Sequence, residues 1–325
     1  MRKRFKSAIQ IFMKRIIKPN NNKGKTTDNW YQIHEQGAGT FRLELLWYVY
    51  RILGVRILKL VLYPVAFFIT IFARPARRAS REYRQILNTY QRAHNMHVTR
   101  FSSFTHIRRF ANSLADKITA NCDTRPKLKF THDKTPDWDE FMGYLGQNHG
   151  IFLICSHLGN VHTLPGFSQD TAKTMHAFMQ IGHTGTFNKF MQRHSKNRNT
   201  KIYATENIDI GIAGAMYDNL KSGDMVMMAG DRISAQQPSR QIPIRFLDCD
   251  CVLPIGTFKF AQLMDHPTFA ITVINTGAQR YQISVRKLPT TNPTSMAQTY
   301  ASFLETQTLR HPHHWFNFYD FFGPK

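Results

Sequence analysis

The chain has 325 residues, 42% hydrophobic and 13% aromatic, and its 43 Lys and Arg against 21 Asp and Glu give a net charge of +22. Apolar content this high excludes an intrinsically disordered chain, and 18 glycines with 4 cysteines exclude collagen-like and disulfide-framework classes. The charge is concentrated: residues 1–109 hold 22 basic and 4 acidic residues, whereas residues 110–325 hold 21 and 17. Such an excess suits an anionic membrane surface, nucleic acid or an acidic protein, and the neighbouring sequence decides among them.

Residues 1–18 place Phe5, Ile9, Phe12, Ile16 and Ile17 at spacings of three to four between Arg2, Lys3, Arg4, Lys6, Lys14, Arg15 and Lys18. This pattern predicts a basic amphipathic helix suited to anionic headgroups, with an ordinary solvated helix or frayed tail as the alternative. It lacks the apolar core and small-residue cleavage site expected of a secretory signal. A polar linker is expected at 19–28.

A long helix is predicted from Phe41 to Phe72. Its uncharged part, Leu60 to Ala73, spans 14 residues and contains Pro64. That falls short of the roughly 20 apolar residues a bilayer span requires. Extension back to Ile52 admits Arg56 and Lys59, so a re-entrant or interfacial helix is favoured over a full span. Arg74, Arg77, Arg78, Arg81 and Arg84 follow at once. An apolar wedge with a basic rim favours a membrane surface over nucleic acid.

Two further helices are expected at 79–96 and 101–120. From residue 150 short apolar runs alternate with helical segments. The expected strands are Ile151–Cys155, Met175–Ile181, Lys201–Ala204, Met225–Ala229, Ile242–Phe246, Phe269–Ile274 and Tyr281–Lys287. Helices are expected around 186–197, 208–222, 256–265 and 294–309. The alternation predicts an α/β fold with a mixed, mostly parallel central sheet flanked by helices. Residues 1–28 form an extension. Residues 29–325 form one domain, with a hydrophobic and basic helical part (29–120) and an α/β part (121–325).

The strongest local signal is the end of the first strand, Ile151 to Cys155, followed by Ser156, His157, Leu158, Gly159, Asn160, Val161 and His162. Functional groups collect where strands of an open α/β sheet end. A histidine there can take a proton from a hydroxyl, although a satisfied structural histidine is the plainer alternative. Gly159 allows close backbone approach to a ligand. Asn160 is placed to position substrate or backbone, or to start a helix.

The segment SHLGNV at 156–161 resembles the first motif of the lysophospholipid acyltransferase superfamily, in the branch of the late acyltransferases of lipid A and related glycolipid acyltransferases. Other stretches follow in that branch's order: Gly230-Asp231-Arg232, Phe246-Leu247, Leu253-Pro254-Ile255-Gly256 and the aromatic close from Trp315 to Phe322. Trp30 to Arg84 is similar to its N-terminal hydrophobic helix and the Arg-Ala-Ser segment after it. The resemblance covers roughly 29–322.

It implies an O-acyltransferase that moves a fatty acyl group from an acyl thioester, on acyl carrier protein or CoA, to a hydroxyl of a lipid or glycolipid. His157 would be the general base, with no acyl-enzyme and no cofactor beyond the thioester co-substrate. The expected location is the cytoplasmic face of the inner (plasma) membrane, peripheral or through one N-terminal segment, and no nucleic acid is expected as a partner. The family carries Asp or Glu five positions after the histidine, to orient the ring and stabilise the imidazolium. His162 stands there instead. A neutral His162 could hold the tautomer of His157 but supplies no negative charge.

Asp231 is the substitute carboxylate the resemblance suggests. Arg232 is assigned to an anionic group such as phosphate, with a local salt bridge as its alternative. Gly256 opens a helix bordering the site, or serves turn chemistry alone. Asp248 and Thr257 replace the family's usual Gly and Pro. His162 also motivates an alternative function, a relative that binds lipid or acyl carrier protein without transfer.

His311, His313 and His314 lack the partners of a metal site, and none is expected. Cys155, inside an apolar strand, is expected to be buried and inert. The four cysteines point to a reducing compartment. No nucleophile elbow, phosphate loop or dinucleotide fingerprint is present. The aromatic close suits core packing better than base stacking.

Overall fold

The computed structural model describes residues 40–122, 128–147, 149–167, 173–179, 193–194, 199–233, 241–277, 279–318 and 321–322. The expected helix at 1–18, the linker at 19–28 and most of the expected helix at 186–197 lie outside these residues, as do positions 180–181 of an expected strand.

Among the described residues three helices come first: α1 (Thr40–Phe72), α2 (Arg74–Ala93) and α3 (Ser103–Cys122). Then follow β1 (Lys129–His132), α4 (Pro136–Gly146), β2 (Ile151–Cys155), α5 (Leu164–Phe167), β3 (Met175–Met179), β4 (Thr200–Ala204), α6 (Ile210–Lys221) and β5 (Met225–Ala229). The chain continues through β6 (Gln241–Phe246), β7 (Cys249–Pro254), α7 (Ile255–Met264), β8 (Thr268–Gly277), β9 (Arg280–Lys287) and α8 (Pro293–Arg310).

Seven strands form one sheet in the order β1-β9-β8-β2-β5-β3-β4. Every neighbouring pair is parallel except β8 and β9. The unbroken apolar runs of β2 and β5 suit strands covered on both faces, and β2 is buried at all five positions. Behind one face pack Tyr83 and Leu87 of α2, Met216 and Leu220 of α6, Phe258 and Phe260 of α7, and Tyr300 and Leu304 of α8. The other face is covered by Trp138, Phe141 and Leu145 of α4. The cap of α4 is Thr135, whose hydroxyl accepts from the Trp138 N–H, with Pro136 next, where a missing donor costs nothing.

The pair β6 and β7 stands apart as an antiparallel hairpin. β7, β1 and α4 had no expectation from sequence. The hairpin turns at Leu247 and Asp248, both in the left-handed region at φ 50° and 60°. That is a two-residue turn without the glycine that ordinarily announces it. β1 is a four-residue edge strand with little buried surface, too short to show a period.

α1 is one element of 33 residues, but its backbone leaves helical geometry at Gly54 (φ 78°, ψ 174°). Its segment Glu44–Phe72 is long and apolar enough to cross a membrane by length and composition. Leu58, Leu62 and Ala66 bury one face of it against Ile107, Ala111 and Ala115 of α3.

Candidate active site

Two parallel neighbours build the centre of the site. Cys155, the last residue of β2, is in register with Ala229, the last of β5, and the Gly230 N–H donates to the Cys155 carbonyl at 2.9 Å. Two residues beyond each strand end lie His157 and Asp231, so the register carries both side chains into the crevice at the carboxyl edge of the sheet. Gly230 is needed there: a Cβ would lie 2.7 Å from Ile154 Cγ2 and 3.1 Å from the Tyr300 ring. The Tyr300 hydroxyl fixes the strand end by donating to the Cys155 carbonyl at 2.7 Å.

His157 Nδ1 lies 2.9 Å from Asp231 Oδ1 and 3.1 Å from Oδ2, and its backbone N–H donates to Oδ2 at 2.8 Å. Asn317 Nδ2 donates to the same Oδ2 at 3.0 Å. The carboxylate is fully buried, whereas a third of the His157 side chain is exposed. With Nδ1 held as the donor, Nε2 is left as the basic nitrogen on the open side. Burial alone would raise the Asp231 carboxyl; the charge of His157, its N–H bonds and Arg232 instead hold it down at about 2. Burial pushes the His157 imidazole below its ordinary range, Arg232 and Lys117 push the same way, and Asp231 opposes them. His157 is therefore neutral and able to accept a proton near pH 7.

Arg232 follows the carboxylate, its Nε donating to Asn317 Oδ1 at 3.3 Å. Asn317 thus links the arginine to the pair, and it is buried. Sequence reasoning missed it because it lies between Phe316 and Phe318 in a stretch read only for packing. A buried amide amid aromatics was the available signal.

His162 stands in a single turn of 3₁₀ helix, Val161–Thr163. The Nδ1 atom of His157 is committed to Asp231, so the orienting role considered for His162 falls to the carboxylate. Burial, Lys117 and His157 push His162 well below the ordinary imidazole range, which leaves it neutral as well. Lys117 and Ser113 lie four residues apart on α3, on the face meeting this turn; the Ser113 carbonyl accepts from Asn160 Nδ2 at 2.8 Å.

Gly159 and Asn160 build the site from within. The close approach allowed by Gly159 is to β8: at φ 80°, a Cβ would lie 2.3 Å from the Val273 carbonyl oxygen. Its N–H donates to the His314 carbonyl at 2.9 Å and that of Asn160 to the Val273 carbonyl at 2.7 Å. Asn160 therefore positions backbone. Gly256 sits exposed in the first turn of α7 with open space around it. Its neighbour Thr257 anchors that turn, its hydroxyl donating to the Ala229 carbonyl at 2.8 Å.

Cys155 is buried and its thiol is pushed far above its ordinary range by desolvation. His314 is buried beside Arg109, with Nε2 at 3.3 Å from Arg109 Nη1, and is driven down to about 3 by burial and that cation. Among the described residues no group of three or more His, Cys, Asp and Glu is placed to hold a metal ion. Trp315 is fully buried, stacked on Phe246 and edge-on to Phe321.

The arrangement defines an α/β protein with a solvent-facing imidazole backed by a buried carboxylate where two parallel strands end. No protein-family model matches the sequence, and no curated protein matches it significantly.

Proposed function

We propose that the chain is a membrane-associated O-acyltransferase of the lysophospholipid acyltransferase type, moving a fatty acyl group from an acyl thioester to a hydroxyl of a lipid or glycolipid. The observation that carries the proposal is the His157–Asp231 pair, a base one-third exposed with its buried carboxylate at the edge of an α/β sheet. A substrate hydroxyl gives its proton to His157 Nε2 as its oxygen attacks the thioester carbonyl. The tetrahedral intermediate then collapses, breaking the C–S bond, and the departing thiolate recovers the proton from Nε2. Asp231 holds the ring and offsets the imidazolium charge between these steps. An ester and a free thiol replace the thioester and the alcohol.

Arg232, tethered through Asn317, is the cation beside the reacting centre and takes an anionic group of donor or acceptor. Lys117 on α3 adds further positive charge near His157. The donor is acyl carrier protein or acyl-CoA; both are acidic, which suits this charge. The basic first third and the apolar face of α1 support a location on the cytoplasmic leaflet of the inner membrane.

The test incubates the protein in native lipid extract with isotope-labelled acyl thioesters of both kinds and follows labelled lipid esters by mass spectrometry. Wild type forms a labelled ester that His157→Ala does not, and the ester names the acceptor. Folded wild type that binds lipid or acyl carrier protein yet forms no ester in a broad acceptor pool overturns the proposal in favour of a binding protein.

A further inference from the structure

The segment from His314 to Phe316 runs antiparallel to His157–Gly159, with Leu158 bridged to Trp315. The Gly159 N–H donates to the His314 carbonyl and the Phe316 N–H to the His157 carbonyl, each at 2.9 Å. Alternate residues of an extended segment turn their backbone groups to opposite sides, so the Trp315 carbonyl faces away from this pairing. His106 of α3 meets it there, with Nε2 at 2.6 Å from the oxygen. At the other edge of the ring, His106 Nδ1 lies 3.1 Å from Ser80 Oγ of α2. A second tie runs from α2, where the Tyr83 hydroxyl donates to the Pro312 carbonyl at 2.8 Å.

What each atom can do fixes the direction of this chain. A carbonyl oxygen only accepts, so His106 carries its proton on Nε2, and its Nδ1 accepts from the Ser80 hydroxyl. Burial drives the imidazole down to about 4 against the pull of the Trp315 carbonyl, with His313 and Arg84 pushing the same way as burial. The ring is therefore neutral. Ser80 is 1% exposed, and His106 and Trp315 are fully buried, so water cannot replace a lost partner. The rings of Phe318 and Tyr83 lie 4.7 Å and 5.6 Å from that of His106, a setting in which an apolar side chain would pack without desolvation cost. A polar chain in such a place is satisfied only when the Trp315 carbonyl sits at one position.

Two residues beyond that carbonyl, Asn317 donates to Asp231 Oδ2 at 3.0 Å and accepts from Arg232 Nε at 3.3 Å. We infer that His106 is a positioning residue for the reactive pair: its bond to the Trp315 carbonyl sets the 314–317 segment, and that segment sets the Asn317 amide against Asp231 and Arg232. Through this bond α2 and α3 govern the imidazole of His157 without touching substrate. In kinetic terms the role rests on the acyltransferase reading, whereas the placement of the His157 ring is followed without turnover.

The test is a double-mutant cycle between His106→Phe and Asn317→Ala in full-length protein. Phe fills the volume of the imidazole and removes both of its hydrogen bonds. Each single change should lower kcat about tenfold or more with KM within about threefold of wild type, and the double should fall no further than the worse single. His106→Gln, whose amide N–H reaches toward the Trp315 carbonyl, should recover most of the rate. In parallel, ¹⁵N-histidine NMR in detergent micelles follows the His157 ring, assigned by its loss in His157→Ala. Its Nδ1 resonance should move the same way in both single variants and no further in the double. Losses that multiply in the double overturn the role of His106, as do a His106→Gln protein no faster than His106→Phe and an unmoved His157 signal in His106→Phe. Should His106→Phe not fold, His106→Asn, too short to reach the carbonyl, takes its place in the cycle. If wild type transfers no acyl group, the acyltransferase reading falls and the NMR arm alone decides: a shared displacement upholds the role of His106, and an unmoved His157 signal overturns it.

Discussion

Replacing Asp231 with Asn changes one atom and separates the roles of its two oxygens. Oδ2 accepts from the His157 N–H at 2.8 Å and from Asn317 Nδ2 at 3.0 Å, whereas Oδ1 faces His157 Nδ1 at 2.9 Å. An amide keeps both bonds at the Oδ2 position only by placing its oxygen there. Its NH₂ then points at Nδ1, which must become an acceptor, and the ring proton moves to Nε2. The reverse orientation sets the NH₂ against two donors in a site where the residue is 1% exposed, so water offers no relief. The imidazole is locked in the tautomer that cannot accept a proton from substrate, and the negative charge facing the imidazolium is gone. In a triad this combination costs about 10⁴ in turnover, equivalent to about 5 kcal/mol in the barrier. The assay is labelled ester formation with the best donor, at saturating acceptor, on protein whose thermal unfolding matches wild type. Asp231→Asn within tenfold of wild type would refute the assignment of the carboxylate. His162→Ala should cost far less, since the ring of His157 is held through Nδ1 by Asp231.

The remaining predictions concern charge and fold. Lys117→Met removes a cation that disfavours the imidazolium of His157. The active species is the neutral ring, so the rate rises with pH through its titration, and the acidic limb of the pH–rate profile should move to higher pH; an unmoved limb would contradict the placement of Lys117. Lys59→Met takes the paired cation from Asp116, whose side chain is 5% exposed and is left with neutral donors such as Asn275 at 2.9 Å, and should cost about 3 kcal/mol in urea unfolding. Adding Asp116→Asn should recover most of that loss, and failure to recover it would show the pair is not the cause. Gly159→Ala meets the Val273 carbonyl at 2.3 Å with φ at 80°. It should destabilise the protein by about 3 kcal/mol; a wild-type unfolding midpoint would show that this turn is not held as described.

The parallel core was legible because its central strands β2 and β5 are short, wholly apolar and separated by helical segments. β2 and β5 begin and end where the runs Ile151–Cys155 and Met225–Ala229 do. Elements without such runs escaped. The β6–β7 turn uses Leu247 and Asp248 where a glycine was the cue, and β1 owes its place to pairing with β9, far away in sequence. In the site, His157 stood out by its position after a strand. Its partner is 74 residues distant, and no local spacing connects them; the link is made by the parallel pairing of β2 with β5. Asn317 was hidden by its neighbours, since an amide inside an aromatic run looks like filler until its hydrogen bonds are seen. The docking of α1 was equally invisible, because hydropathy records that a helix is apolar and not which side is already occupied.

The central claim is that His157, held by Asp231, performs acyl transfer to lipid. The most direct measurement follows a radiolabelled acyl chain from a purified thioester donor into vesicle lipid, with wild type and His157→Ala matched for folding and vesicle binding. The account predicts label in an oxygen ester of the lipid with wild type, none retained covalently on the protein, and loss of transfer in His157→Ala. Equal transfer by the two proteins, or label trapped on the protein, would contradict it.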